Sequence, residues 1–142
     1  MLISRALLDE LIAHAREEAP NECCGVIAVH AERSHSGQPA VAARVYRAVN
    51  AAASPLRFEV DGRELLRAID DIEQRGSELG AIYHSHTRTA PYPSQTDINF
   101  AAAWPGLEWV IVGLAGDGAP EVRSYAIDGG HVRAVELQES AA

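Results

Sequence analysis

The sequence predicts an α/β fold, a single domain in which helices flank a mixed sheet of about six to eight strands. The first observation behind this prediction is that amphipathic helical patterns alternate with short apolar runs along the chain. The chain has 142 residues, 47% hydrophobic and 23% charged, which is enough to bury one core. No repeat, linker or low-complexity segment divides it, so we expect residues 1–142 to form one domain.

The N-terminal elements follow from a capping residue and an apolar run. Ser4 is a typical N-cap, and the leucine-rich stripe after it predicts a helix as far as about Glu18. Residues 22–30 form a nearly continuous apolar run, which predicts a strand covered on both faces and beginning at Glu22. Residues 31–39 are mostly polar and contain glycine and proline, which predicts a loop or hairpin.

A second helix is predicted from Asp61 to about Arg75. Glu64 is placed for a capping box with Asp61, and Gly76 is a suitable C-terminal cap. Three shorter segments precede this helix, a strand, a turn and a short strand, over residues 41–49, 50–55 and 57–60. This part of the chain therefore contributes two strands and one helix to the predicted domain.

The next strand, residues 79–85, leads into the sequence His84-Ser85-His86. A loop with two prolines follows, and Ser94 then predicts the N-cap of a third helix, which extends to Trp104 and stops at a proline. Three strands separated by turns complete the sheet, over residues 107–114, 121–127 and 131–137. We expect the tail from Gln138 onward to fray.

Composition argues against several classes of function. The net charge of −8 and the pI of about 5.1 give a surface that repels phosphate backbones, so nucleic acid is not an expected partner. No apolar run reaches the length of a membrane span, and the N-terminus lacks a secretory pattern. The two cysteines, Cys23 and Cys24, are adjacent, an arrangement that rarely forms a disulfide. We therefore expect a reducing, cytoplasmic location and no membrane partner.

The segment from His84 to Asp97 carries the candidate chemistry. Residues two apart on a strand point to the same side, so His84 and His86 can face one metal ion from the strand end. Asp97 lies in the first turn of the next helix and can reach the same place. Two imidazoles and a carboxylate suit zinc and leave one position open for water. Asp97 also has a purely structural explanation, because an acid there stabilises a helix by about 0.3–1 kcal/mol.

Two further residues complete a candidate hydrolytic site. Ser94 is a poor zinc ligand, but its hydroxyl is suited to donating a hydrogen bond to an oxyanion. As an N-cap it would also stabilise the helix by about 1 kcal/mol. A zinc hydrolase needs a base outside the ligand set. Among the 20 acids, Glu22 stands out because it heads a buried strand after a turn, although a surface acid at a strand start is the competing interpretation.

The order and spacing of these residues resemble the motif of the JAMM (MPN-domain) metallopeptidases. The motif consists of Glu22, then His84-Ser85-His86, seven residues, Ser94, two residues and Asp97. The resemblance covers essentially the whole chain and implies a fold similar to the cytidine deaminases, with one zinc ion per chain. It implies that His84, His86 and Asp97 ligate the zinc. Glu22 would then be the general base and acid, and Ser94 would stabilise the tetrahedral intermediate.

Members of this family cleave peptide or isopeptide bonds at the C-termini of ubiquitin-like proteins. The short chain and the segment Glu22-Cys23-Cys24-Gly25 resemble the bacterial branch, which includes the Mec-type enzymes. Those enzymes release a C-terminal cysteine from a sulfur-carrier protein in cysteine biosynthesis. The resemblance therefore implies a zinc metalloprotease whose partner is a small ubiquitin-like or sulfur-carrier protein.

Three alternatives remain open: a deubiquitinase-like isopeptidase that removes modifiers from proteins, a non-catalytic MPN scaffold, and a zinc hydrolase of small molecules. The presence of all five motif positions argues against the scaffold, and the lack of a Cys-x-x-Cys pair argues against a deaminase. Cys23 and Cys24 are expected to be apolar fillers, with a thiol nucleophile or a fourth zinc ligand as the alternatives. Arg88 and Tyr92 either contact a substrate tail or belong to loop solvation and packing. The oligomeric state is open, with a homodimer among the alternatives.

Overall fold

A mixed sheet lies at the centre of the fold. A computed structural model describes residues 1–34 and 37–140, which form four helices and eight strands. The helices are α1 (Arg5–Glu18), α2 (Ala31–Ser34), α3 (Gly62–Gln74) and α4 (Gln95–Ala101). The strands are β1 (Leu2–Ser4), β2 (Cys24–His30), β3 (Ala42–Ala48), β4 (Ser77–His86), β5 (Glu108–Gly113), β6 (Glu121–Asp128), β7 (His131–Val135) and β8 (Gln138–Ser140). Each helix in the described part of the chain is too short or too polar to span a membrane.

Six strands form the main sheet in the order β3-β2-β4-β5-β6-β7. Strands β4 and β5 run parallel, and the other neighbouring pairs of this sheet are antiparallel. Strand β4 lies between β2 and β5, so His84 has Cys24 on one side and Ile111 on the other. The predicted α/β fold with a mixed sheet is confirmed, and the end of β4 lies in its interior.

Helices cover both faces of the sheet and create two separate cores. On one face, α1 contributes Leu11 and Ala15 to a core that includes Cys23 and Tyr83. On the other face, α3 and α4 pack over a core that includes Cys24. Because side chains alternate along an extended chain, the adjacent cysteines are buried in different cores. Burial raises the pKa of the Cys23 thiol to about 11 and that of the Cys24 thiol to about 12, so both act as neutral fillers.

The predicted helix starts agree with the structure. Ser4 caps α1 and Asp61 caps α3, each through a side-chain oxygen that accepts backbone N–H groups of the first turn. Gly76 follows α3 with a φ of 71°, the left-handed conformation that glycine commonly adopts after a helix. The capping box predicted at α3 is wrong, because the Glu64 carboxylate accepts a hydrogen bond from the N–H of Val49 instead.

The short strand predicted over residues 57–60 does not form. Within the described chain, Val60 makes only an isolated bridge, to Asn50. The Asn50 carboxamide bonds to the Arg57 carbonyl and to the Glu59 N–H, and the Ala51 N–H donates to the Glu59 carbonyl, so a side chain takes up part of the hydrogen bonding that a partner strand would supply. A strand-like pattern in the sequence does not reveal that a side chain will take the place of a neighbouring strand.

Two loop boundaries also differ from the prediction. Helix α2 replaces part of the loop or hairpin predicted for residues 31–39, of which residues 35 and 36 lie outside the described part of the chain. Helix α4 ends at Ala101 and not at Trp104. The N–H of Trp104 bonds to the Ala101 carbonyl three residues back, so the chain tightens into turns ahead of Pro105.

The C-terminal tail is ordered where fraying was expected. Residues Gln138–Ser140 form β8, which pairs in parallel with β1. The Gln138 N–H donates to the Met1 carbonyl, and the Met1 amino group donates to the Glu136 carbonyl. The opposite end of the chain thus supplies the hydrogen-bond partners that hold residues 138–140. Residues 141 and 142 lie outside the described residues.

Candidate metal centre

The C-terminal end of β4 presents two histidine side chains to the same side. The Nε2 atoms of His84 and His86 lie 3.1 Å apart. Ser85, between them, faces the opposite side, where its Oγ accepts a hydrogen bond of 2.8 Å from the N–H of Cys23. Because β4 has a neighbouring strand on each side, its end is buried and both imidazoles are shielded from solvent.

The first turn of α4 supplies a third group. Ser94 and Asp97 form a reciprocal capping box, in which the Ser94 Oγ accepts from the Asp97 N–H and the Asp97 Oδ2 accepts from the Ser94 N–H. The same Oδ2 atom lies 3.1 Å from the His84 Nε2 and 3.2 Å from the His86 Nε2. The loop between β4 and α4 therefore folds back so that one oxygen and two nitrogens converge.

These three atoms fit a metal ion. Tetrahedral coordination with bonds of about 2.0–2.1 Å places neighbouring ligand atoms about 3.3–3.4 Å apart. The edges of the observed triangle, 3.1–3.2 Å, are close to that spacing. Two neutral imidazole nitrogens and a carboxylate oxygen facing one point also form the donor set that borderline-soft divalent ions prefer. His84, His86 and Asp97, which sequence reasoning selected as ligands, are thus brought together.

The protonation states of Asp97 and His84 favour cation binding. Burial alone would raise the pKa of Asp97, but its contacts with His84 and His86 outweigh burial and hold that pKa well below its usual range. Burial lowers the pKa of His84, which therefore stays neutral. Burial would also lower the pKa of His86, but its contacts with Asp97 and the Ala90 carbonyl outweigh burial and raise that pKa, so a cation competes with a proton at His86 as the pH falls. A neutral imidazole and an ionised carboxylate are the protonation states that a metal ligand requires.

The two imidazole rings are oriented in different ways. The His86 Nδ1 lies 2.9 Å from the Ala90 carbonyl, so that nitrogen donates and the Nε2 lone pair faces the cluster. The His84 Nδ1 has no hydrogen-bond partner among the described residues. Its ring is stacked on Phe58 instead, with centroids 4.5 Å apart and planes at 22°. Packing, and not a hydrogen bond at Nδ1, therefore sets the direction of His84.

Glu22 is the second carboxylate beside the histidines. It lies two residues before β2, which begins at Cys24 and not at Glu22 as predicted. It is only 4% exposed and offers a ligand oxygen within 4.8 Å of ligand nitrogens of His84 and His86. Its Oε1 is buried and makes no hydrogen bond within the described chain. Burial raises the pKa of Glu22 to about 7, an increase that His86 opposes and the charge of Asp97 reinforces.

The carboxylates of Asp97 and Glu22 differ in charge and in their distance from the histidine nitrogens. The Asp97 oxygen touches both histidine nitrogens, whereas Glu22 stands farther back with an unpartnered oxygen. The closer, ionised Asp97 is suited to ligation, and the more distant Glu22 is suited to carrying a proton. Ser94 is exposed at the rim of the site, and its capping role leaves its hydroxyl hydrogen available.

Sequence reasoning missed two residues that shape the site. Phe58 lies in a segment predicted as a strand and Asn50 in a predicted turn, and neither carries a local signal of a role at the site. Tyr92 is 56% exposed and its ring packs edge-on against Tyr125, which matches the loop-packing alternative. Arg88 is exposed on the same loop.

A family comparison agrees with this arrangement. A model of the prokaryotic homologs of the JAB domain matches residues 4–128. The chain belongs to this JAB-domain family. The resemblance drawn from the five-position motif is therefore confirmed, and the matched residues of the JAB domain include every residue of the candidate site.

Individual relatives extend the JAB-domain match. A CysO-cysteine peptidase of Mycobacterium tuberculosis is 36% identical over 133 residues, 93% of this chain and 86% of the relative. A probable TtuB-protein conjugate cleaving protease of Thermus thermophilus is 36% identical over 117 residues, 82% of this chain and 72% of the relative.

Solved structures confirm the fold of the JAB-domain chain. A protein of Desulfitobacterium hafniense, solved in solution, has a TM-score of 0.84 and 32% identity, covering 98% of this chain and 93% of that one. A structure described as "JAMM: A Metalloprotease-like Zinc Site in the Proteasome and Signalosome" has a TM-score of 0.58 and 19% identity, covering 99% and 97%. At that identity the second likeness shows the fold alone.

Proposed function

We propose that this protein is a cytoplasmic zinc metallopeptidase that cleaves the bond at the C-terminus of a small ubiquitin-like or sulfur-carrier protein. The observation that carries the proposal is the triangle of His84, His86 and Asp97 with the carboxylate of Glu22 beside it. The 36% identity to a CysO-cysteine peptidase over 93% of the chain supports a carrier protein with a C-terminal cysteine as substrate. Release of that cysteine would serve cysteine biosynthesis.

His84, His86 and Asp97 would hold the zinc ion. When bound, zinc would supply Lewis-acid polarisation of the scissile carbonyl and acidify water. The three ligands come from a strand end and a helix start that are both fixed by backbone hydrogen bonds, so they need little rearrangement to bind. We propose that the whole chain, residues 1–142, acts as this one metallopeptidase domain.

Glu22 would move the proton. Its carboxylate takes a proton from the attacking water, whose oxygen forms a bond to the scissile carbonyl carbon. When the C–N bond breaks, Glu22 returns that proton to the leaving nitrogen, which leaves a carboxyl group on the carrier and a free amine. A base with a pKa of about 7 is half-protonated near neutrality, which suits both steps. The unpartnered Oε1 is the atom available for them.

Ser94 would stabilise the oxyanion. Its Oγ accepts the Asp97 N–H, and a serine hydroxyl can donate its own hydrogen at the same time. The exposed position at the rim of the site lets that hydrogen meet a negative charge that forms on the substrate carbonyl.

The proposal is tested with a sulfur-carrier protein that bears one extra C-terminal cysteine, followed by mass spectrometry. Wild-type protein with about one equivalent of zinc should release the cysteine. Glu22→Gln should keep the zinc and lose turnover by about 10²–10⁴-fold, because it cannot accept a proton. Asp97→Asn is the matched control, which removes a ligand charge and should lose zinc. Near-normal turnover by Glu22→Gln would show that the assigned base is wrong.

A second candidate is an isopeptidase that removes a modifier from other proteins. The likeness to a probable TtuB-protein conjugate cleaving protease favours it. The same zinc site would cleave either bond, so the discriminating experiment offers equal amounts of the carrier–cysteine adduct and of a lysine-linked conjugate. Faster cleavage of the conjugate would select the isopeptidase. A protein that binds less than about a tenth of an equivalent of zinc would be a scaffold instead.

A further inference from the structure

Asn50 lies two residues beyond β3 and is 8% exposed. Its Nδ2 donates hydrogen bonds of 3.0 Å to the carbonyls of Glu22 and Arg57. Its Oδ1 accepts hydrogen bonds of 3.0 Å from the N–H groups of Ala52 and Glu59. A carboxamide has two donor hydrogens and two acceptor lone pairs, so these four bonds use its full capacity, and a longer contact of 3.5 Å joins the Nδ2 to the Ser54 carbonyl. They also fix its orientation, because a flipped amide would set its oxygen against two carbonyls.

The first consequence concerns the backbone of Glu22. Glu22 precedes the first residue of β2, so the hydrogen bonds of the sheet do not hold it. Its carbonyl accepts from Asn50 Nδ2, and its N–H donates to the Ser54 carbonyl at 2.9 Å. Both of these bonds reach the loop of residues 50–59. The position of the proposed base is therefore set by that loop.

The second consequence concerns Phe58. Asn50 holds the carbonyl before this residue and the N–H after it, at Arg57 and Glu59. The Phe58 ring is thereby held on the ring of His84, whose Nδ1 has no partner among the described residues to orient it. Phe58 also meets the edge of Phe100 in α4, with centroids 5.6 Å apart. The same loop thus contacts a ligand histidine and the helix that carries Asp97.

We propose that Asn50 is a positioning residue of this site. It links the backbone of Glu22 to Phe58, whose ring orients His84, and it acts on the reaction only through Glu22 and His84. The proposal rests on the proposed function, because it needs Glu22 to be the base. A displacement of about 1 Å at a reacting group can cost about 10²-fold in rate. The loop of residues 50–59 is closed at its base by the bond from the Ala51 N–H to the Glu59 carbonyl and by the Asn50 amide. Of these two connections only the amide also reaches Glu22, so its loss is where such a displacement would start.

The experiment uses Asn50→Ala and Asn50→Asp in the full-length, zinc-loaded protein. Both should lower kcat on the carrier–cysteine adduct by at least about tenfold and leave KM within about twofold, since Asn50 does not bind substrate. The aspartate keeps the two acceptor bonds but turns an oxygen toward the carbonyls of Glu22 and Arg57, so it should be impaired at least as much as the alanine. An Asn50→Asp variant with kcat within about twofold of wild type overturns the proposal.

Ser124→Ala is the matched control. Ser124, in β6, is also buried, and its side chain makes one hydrogen bond, of 2.9 Å, to Glu108 in β5. Strand β4 separates both of these strands from β2. The substitution removes a buried polar contact, as at Asn50, but touches neither Glu22 nor Phe58. It should lower the free energy of unfolding and leave kcat unchanged. Equal losses of kcat in Ser124→Ala and Asn50→Ala would reduce Asn50 to a general structural role and overturn the proposal.

Amide hydrogen exchange gives a readout that does not need a substrate. The Glu22 N–H bonds to Ser54 and not to Asn50, so its exchange reports whether the loop as a whole stays docked. In Asn50→Ala it should exchange at least about tenfold faster, while the Ser85 N–H, bonded to the Cys23 carbonyl, keeps its wild-type rate. Unchanged exchange at Glu22 overturns the proposal. A wild type that cleaves neither substrate would instead reject the proposed function, and the two failures are thereby distinguished.

Discussion

At the scale of single residues, two carboxylates beside the same histidines have opposite properties. Asp97 contacts both imidazoles and accepts a hydrogen bond from the Ser94 N–H, and its pKa lies well below the usual range. Glu22 is equally buried but its Oε1 lacks a partner in the described chain, and its pKa is raised to about 7. Their hydrogen-bond partners therefore separate an ionised carboxylate, the proposed ligand, from one that can carry a proton, the proposed base.

Replacing Ser94 with alanine tests the oxyanion role. The hydroxyl is the proposed donor to the developing charge, so kcat should fall by about 10²–10³-fold while zinc stays bound. The lost N-cap should also lower the free energy of unfolding by about 1 kcal/mol. Steady-state kinetics, metal analysis and urea denaturation measure the three quantities.

Ser94→Thr is the control for that substitution, because threonine keeps both the donor and the cap. It should recover most of the rate and of the stability. A Ser94→Ala enzyme with nearly wild-type kcat would mean that Ser94 is a cap and nothing more.

At the scale of elements, local rules predicted the helix starts and the strand that hold the proposed ligands. The caps at Ser4, Asp61 and Ser94 mark helix starts, and the alternation of side chains along β4 places His84 and His86 together. Local rules failed where the hydrogen-bond partner of a backbone segment is distant in sequence or is a side chain. They could not show that β8 pairs with β1, nor that the amide of Asn50 replaces a strand.

The glycine inside β2 gives a prediction about this element. An added Cβ at Gly25 would collide with the Tyr46 carbonyl and with the ring of Tyr83, so strand and ring would have to move apart. Gly25→Ala should lower the free energy of unfolding by about 1–3 kcal/mol or more, measured by urea denaturation. Gly62→Ala is the control, because an added Cβ there meets nothing within 4 Å.

Gly62 begins α3, where alanine is the better helix former, so that control should gain about 0.4–1 kcal/mol. Equal stability in the Gly25→Ala variant and the wild type would show that β2 and β4 can separate at no cost.

At the scale of the whole molecule, the two faces of the sheet bury different polar groups. The face covered by α3 and α4 carries the proposed metal ligands, and the face covered by α1 buries a polar pair, His14 and Tyr83. The His14 Nδ1 lies 2.7 Å from the Tyr83 hydroxyl. Burial lowers the pKa of His14 from 6.5, Arg47 of β3 lowers it further, and Glu18 and Glu17 of α1 oppose both.

The buried His14 should make stability depend on pH. The unfolded chain protonates His14 near pH 6.5, whereas the folded chain resists the proton until a lower pH. The contribution is therefore fully present above pH 6.5 and is lost as pH falls toward the lowered, folded-state pKa. When the pH is lowered from about 7.5 to about 5.5, the free energy of unfolding should fall less in His14→Gln than in the wild type.

Urea denaturation at the two pH values measures this difference, and Tyr83→Phe is the control, because it keeps the buried imidazole. That control should retain the pH dependence of the wild type. The same pH dependence in wild type and His14→Gln would rule out His14 as its source.

The capping box at α4 has a thermodynamic consequence. One atom, the Oδ2 of Asp97, closes the first turn of a seven-residue helix and also completes the triangle with His84 and His86. A helix of that length is unstable on its own. Folding of the helix and affinity for a cation are therefore linked. A cation bound to Asp97 would stabilise α4, and a substitution that frays α4 would in turn weaken cation binding.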